Sequence, residues 1–261
     1  MALEGTTSVQ PQYGRRVVLT LTGTELAAGN LNISNTACSG LERGSAAPYE
    51  SGATTAYYLC MVNTVGTGRF DVRRSGDGVA LRSSEYTVPE PQVRLVFNND
   101  PTFFLQLTLD TRAAVTVRNF LDYVNAGFYN QTVIHRLLPG FVAQGGGYTG
   151  PVGAASPTLK PTRAAIALEI VPGLLNTTGS IAMARTGAPN SATSQFFLNL
   201  ANNTPLDGSY AVFGRVTAGG GLLDSGGAIA SAPCVAVSWL AADGSCLPTP
   251  NLVITGATQQ R

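Results

Sequence analysis

Apolar positions before residue 90 alternate over short spans, and none holds a period of 3.6 for three turns. Arg16–Thr22, Tyr57–Val65, Arg69–Arg74 and Val79–Arg82 read as strands, since alternation sends every second side chain to one face. Turn residues separate them, and Ser75-Gly76-Asp77-Gly78 reads as a hairpin loop. The pattern changes at Pro89-Glu90-Pro91. Beyond it, Val93–Phe97 and Phe103–Leu109 form a second hairpin around Asn98-Asn99-Asp100-Pro101. A helix is expected from about Val115 to Ala126. There Val117, Phe120, Leu121 and Val124 make one apolar stripe, with Thr116 as N-cap and Gly127 as the C′ terminator. Ser180–Ala184, Gln195–Leu200, Tyr210–Val216 and Leu252–Thr255 read as strands. One helix among many short strands points to a closed or nearly closed antiparallel barrel, preceded by a small all-β unit over residues 1–90.

Composition narrows the function classes. In 261 residues, 44% are hydrophobic and 12% charged, with a formal net charge of +1, so a sizeable core is available. No concentrated basic face for nucleic acid or an anionic membrane is expected. The N-terminal part alone carries seven arginines and eight acidic residues. No apolar run approaches the roughly 20 residues that span a bilayer, and the first residues show no signal-peptide pattern. A single histidine, His135, excludes multi-histidine metal sites. The four cysteines, with no C-x-x-C, read as two local disulfides, 38 to 60 and 234 to 246, over the other possible pairings. That implies an oxidising compartment.

Two segments carry possible chemistry. Gly145-Gly146-Gly147-Tyr148-Thr149-Gly150 satisfies G-x-G-x-x-G, but prolines follow closely and no helix opens there, so it reads as a turn and not a dinucleotide site. His135-Arg136 lies within Thr132–Gly146, an otherwise apolar and glycine-rich stretch. Taken alone, Arg136 suits half of a structural ion pair, His135 a satisfied core histidine, and Phe141, Phe196 and Phe197 ordinary core aromatics.

The run as a whole changes that reading. Together with Gly179–Thr186, Asn190–Leu198, Leu206–Arg215 and the helix Asn119–Tyr129, it closely resembles the cyclophilin family of peptidyl-prolyl isomerases, most of all the bacterial, exported branch. The likeness spans about residues 92–255, with the motifs in the family's order. It implies a mainly β fold: an eight-stranded antiparallel barrel with one or two helices over residues 91–261, its active site on the outer face. By that likeness Arg136, Phe141 and Gln144 match the catalytic positions. Val142, Ala184, Arg185, Thr186, Gln195, Phe197, Leu206 and Tyr210 match the substrate-binding ones.

The implied activity is cis-trans isomerisation of Xaa-Pro bonds in peptides and unfolded protein clients, assisting folding without cofactor or metal. The implied location is periplasmic or otherwise exported. Pro205 stands where cyclosporin-sensitive members have tryptophan, so weak cyclosporin binding is expected. Residues 218–227 hold five glycines where a second helix would lie, and residues 225–250 resemble an added loop. A proline-binding module without catalysis is the main alternative. In a third reading, the N-terminal unit supplies a docking surface.

Overall fold

A computed structural model describes residues 2–8 and 11–261. The chain divides into two compact units, one up to Glu90 together with Arg261, the other Pro91–Gln260. The first contains β1 (Ala2–Ser8), β2 (Arg16–Thr24), β3 (Leu31–Asn35), β4 (Cys38–Arg43), β5 (Thr55–Val62), β6 (Gly66–Arg74) and β7 (Ala80–Val88). They form two sheets, ordered β1-β2-β5-β4 and β3-β6-β7. Strand β2 buries Val17, Leu19 and Leu21 and turns the residues between them outward, so its alternation predicts it well. Strands β3 and β4 are edge strands with hardly a buried side chain, and the apolar pattern does not reveal them. The Cys38–Cys60 disulfide ties β4 to β5.

The second unit contains β8 (Gln92–Phe97), β9 (Asp100–Leu109), α1 (Ala114–Asn125), β10 (Thr132–Leu138), β11 (Val142–Thr149), β12 (Ser180–Met183) and β13 (Phe196–Asn199). It continues with β14 (Val212–Ala218), β15 (Cys234–Val235), β16 (Leu247–Pro248) and β17 (Leu252–Gln259). Eight of these strands close a barrel in the order β10-β11-β13-β12-β14-β9-β8-β17, every neighbouring pair antiparallel. The turn between β8 and β9 is Asn98-Asn99, with φ of 53° and 59°, the left-handed pair that matches strand twist in a two-residue hairpin. Its interior is filled by alternate residues such as Leu95, Leu107, Ile134, Leu198 and Phe213, all fully buried. Helix α1 buries Val117, Phe120, Leu121 and Val124, the four residues of the sequence stripe. Phe120 sits against Tyr129, Phe196 and Phe213, with ring centroids 5.1–5.8 Å apart.

Two local expectations need correction. The glycine-rich run at 145–150 is largely strand and not a turn, since β11 continues to Thr149. Its glycines serve close packing: a Cβ on Gly145 would lie 2.7 Å from the Ile134 side chain, and one on Gly147 2.6 Å from that of Gln195. Thr116 is not the N-cap of α1. The cap position is Ala113, without a side-chain bond. The Val115 and Thr116 amides instead donate to the Glu169 carboxylate at 3.2 and 2.8 Å, and the Thr116 hydroxyl adds a third bond. A carboxylate there satisfies orphan amides and opposes the positive end of the helix dipole. Gly127, with φ of 67°, does terminate the helix. Residues 218–227 form a single 3-10 turn, Gly220–Leu222, leaving α1 as the one α-helix among the described residues.

Glu169→Ala should lower stability by about 1 kcal/mol. It should also speed hydrogen exchange at the Val115 and Thr116 amides, both readable from denaturant midpoints and exchange rates of the full chain.

Candidate functional site on the outer face of the barrel

A bulge decides which way Arg136 points. Between β10 and β11, Ile134 pairs with Gly145 and Arg136 with Gln144, so two steps on β10 match one on β11. The extra residue is His135. Strict alternation would put Ile134 and Arg136 on one face. The bulge breaks it, leaving Ile134 and Leu137 fully buried in the barrel while Arg136 is partly exposed on the outside.

From Arg136 a row of cross-strand partners runs over five strands: Arg136 opposite Gln144, Gln144 opposite Phe197, Phe197 opposite Ala182, and Ala182 opposite Val212. Directly paired residues share a face, so polar and apolar functions meet along one line. Phe197, Val142, Ala182, Ala184 and Val212 form a buried cluster on this outer side, with Phe141, Leu174, Leu206 and Tyr210 packed against it. Tyr210 meets Phe197 edge to face at 5.5 Å.

The polar end is held by side-chain bonds. The Gln144 amide donates to Gln195 Oε1 at 2.9 Å, and Arg136 Nη1 donates to Gln144 Oε1 at 3.4 Å. Arg136 Nη2 donates to Asp243 Oδ2 at 2.5 Å, and Nε to Ser245 Oγ at 3.1 Å. The structural ion pair that its apolar surroundings suggest therefore exists, with Asp243 as partner. The Asp243 carboxyl is held well below the usual carboxylate range by the Ser245 hydroxyl and the Arg136 guanidinium.

The structure also places the remaining sequence-derived positions. Ala184 follows β12 and donates its amide to the Gln195 carbonyl at 3.0 Å. Arg185 folds back, donating from Nε to the Ser209 carbonyl at 2.9 Å, with its guanidinium 4.7 Å from the Tyr210 ring centroid. Thr186 lies at the exposed end of this edge, its amide bound to Ser191 Oγ. Leu206 ends a 3-10 turn, Thr204–Leu206.

Sequence reasoning missed what fixes that turn. Asn203 donates to the Phe141 carbonyl at 2.9 Å and to Asn199 Oδ1 at 2.7 Å. Asn199 in turn donates to Asn176 Oδ1 and Ser180 Oγ. Buried amides need such partners, but scattered asparagines carry no spacing that marks them. Asp243 and Ser245 were equally silent, being turn-type residues in a loop.

Residues 99–235 match the model of the cyclophilin type peptidyl-prolyl cis-trans isomerase/CLD family. Peptidyl-prolyl cis-trans isomerase A of Dickeya dadantii is 47% identical over 121 residues, 44% of this chain and 61% of that protein. Peptidyl-prolyl cis-trans isomerase B of Escherichia coli is 44% identical over 125 residues, 45% of this chain and 73% of its own length. The chain thus spans about three fifths of the Dickeya relative. A crystal structure of a Cryptosporidium parvum cyclophilin type isomerase superposes with a TM-score of 0.52 at 22% identity, covering 66% of this chain and 99% of the other. That protein was also solved in the presence of the dipeptide Ala-Pro, with a TM-score of 0.51 here.

His135, at the bulge, is buried beside Tyr148 with ring centroids 4.7 Å apart. Burial lowers its pKa from 6.5 to about 4. The unfolded chain takes up this proton near pH 6.5 and the folded chain only near 4, so the neutral form's contribution is complete above 6.5 and lost as pH falls towards 4. The loss amounts to about 3 kcal/mol. Unfolding free energies measured from pH 7 to 4 should show this decline, and His135→Phe should remove that part of it.

Proposed function

Because the chain belongs to the cyclophilin type peptidyl-prolyl cis-trans isomerase family, we propose that it accelerates rotation about Xaa-Pro bonds in peptides and unfolded protein clients. The row joining Arg136, Gln144 and Phe197 carries this reading, since it sets a cation beside an apolar slot.

The reaction asks for little covalent chemistry. Resonance makes the peptide C–N bond partly double and raises a barrier of roughly 18–20 kcal/mol. Before proline, cis and trans lie within about 1 kcal/mol, yet exchange takes roughly 10–100 s. Reaching milliseconds needs roughly 5–7 kcal/mol off the barrier. At the half-rotated point the nitrogen lone pair is no longer delocalised and can accept a hydrogen bond. The Arg136 guanidinium, a donor with no lone pair to offer, donates there.

Gln144, itself held by Gln195, steadies the guanidinium and the substrate carbonyl. Phe141, Val142, Phe197 and Leu206, with Tyr210 at the side, grip the pyrrolidine ring in a dry pocket, where the field of Arg136 is less screened. The backbone at Ala184, Arg185 and Thr186 holds the residues before proline while the other side turns.

We assign this role to residues 91–261 as the isomerase domain and leave residues 1–90 as a separate small all-β domain. The two disulfides fit an oxidising, exported setting such as the periplasm. Pro205, in the turn that carries Leu206, leaves the pocket without a tryptophan to hold cyclosporin, consistent with weak binding.

A protease-coupled proline tetrapeptide assay tests the proposal. Wild type should accelerate exchange, and Arg136→Ala should lose about 10²-fold or more in kcat/KM while still binding proline peptides. Spontaneous exchange with wild type overturns the reading. Phe197→Ala should weaken peptide binding by about 2 kcal/mol, roughly 30-fold, as seen by calorimetric titration, because the ring's apolar contact is lost.

A further inference from the structure

A guanidinium offers five N–H groups. In Arg136, one goes to Gln144, one to Asp243 and one to Ser245. One N–H on each of Nη1 and Nη2 is left for an outside acceptor. Gln144 lies on the neighbouring barrel strand, whereas Asp243 and Ser245 come from the segment before β17, beyond the residues 99–235 that match the family model.

That segment is tied down beside the arginine. Leu137 and Cys246 exchange two backbone hydrogen bonds, each 2.8 Å, an antiparallel pairing that puts Ser245 opposite Leu138 and diagonally across from Arg136. Cys246 is bonded to Cys234, and Cys234 pairs with Pro248, so the residues between the two cysteines form a covalently closed loop. Within it, Asp243 Oδ1 accepts from the Ser245 amide at 3.0 Å and from the Ser245 hydroxyl, which fixes the carboxylate. Oδ2 is then free to face the guanidinium. The Arg136 side chain is 19% exposed and that of Asp243 39%, so their bond sits at the edge of the site, where water alone would not hold a flexible arginine in one rotamer.

We propose that Asp243, seated by Ser245 on the disulfide-closed loop, is a positioning residue that holds the Arg136 guanidinium in its working orientation. The inference rests on the isomerase reading above. Its two physical effects oppose each other: a nearby carboxylate dilutes the cation's field, while fixing the rotamer removes the entropy of orienting it. Orientation governs, because the Nη groups left outside point one way only while Nε and Nη2 are anchored.

Steady-state kinetics on a cis-proline tetrapeptide, together with the ¹⁵N-correlated NMR signal of the Arg136 Nε–H, test this. Asp243→Asn should lower kcat about tenfold with KM within twofold, and the Nε–H signal, sharp in wild type, should broaden or vanish. A kcat within twofold of wild type, a raised KM with kcat unchanged, a gain in rate, or an unaltered Nε–H signal each overturns the proposal. Should Asp243→Asn fail to fold, Ser245→Ala, which removes the Nε acceptor and the carboxylate's hydroxyl donor, is read by the same two measurements against the same limits. An inactive wild type refutes the isomerase reading instead, and the NMR arm alone then decides whether Asp243 holds the guanidinium.

Discussion

The arrangement depends on one inserted residue. Without the bulge at His135, the period-two geometry of β10 would send Arg136 to the same side as Ile134, into a barrel interior filled by apolar side chains such as Leu95, Leu107 and Phe213. A charge so placed would cost more than the fold could offset. With the bulge, Leu137 fills the interior position and Arg136 emerges opposite Gln144, at the head of a row that ends in apolar side chains. The barrel's closure then makes this register rigid, since each of the five strands is bonded on both edges and slipping one requires slipping its neighbours.

The same bulge explains what the sequence hides. A half-buried strand is recognised by alternation, but β10 has an interruption in its middle, and its Thr-Val-Ile-His-Arg-Leu-Leu sequence does not alternate. Strand β11 is worse disguised, because Gly145, Gly146 and Gly147 have no side chains to alternate. They are small because the Ile134, Phe196 and Gln195 side chains occupy the space a Cβ would need. By contrast, Val93–Phe97 and the stripe on α1 follow plain periodicities and were readable. The ordered motifs made the family legible, and with it the barrel. The supports of the site were not legible: Glu169, Asn203 and Asp243 act across long sequence separations, which no local pattern encodes.

His135 and Asp243, the ionisable groups with shifted titration around Arg136, each hold one charge state near neutral pH. The one histidine in the chain is buried and kept neutral by desolvation, and the carboxylate beside Arg136 stays ionised far below neutral pH. What remains to do work is shape and a fixed positive charge, which suits a reaction in which no proton is transferred. The two disulfides stand at different tasks. One ties neighbouring strands of the N-terminal unit, and the other closes the loop that reaches the arginine.

Helix α1 bears on the order in which the second unit is assembled. Its amides at 115 and 116 are satisfied by a carboxylate 53 residues further along the chain. At roughly 5–20 residues per second, a ribosome needs about 3–10 s to supply it. Throughout that interval the nascent helix has an open, uncompensated first turn. Its completion therefore follows the synthesis of the long connection after β11, and that connection acts as a clasp fastened late.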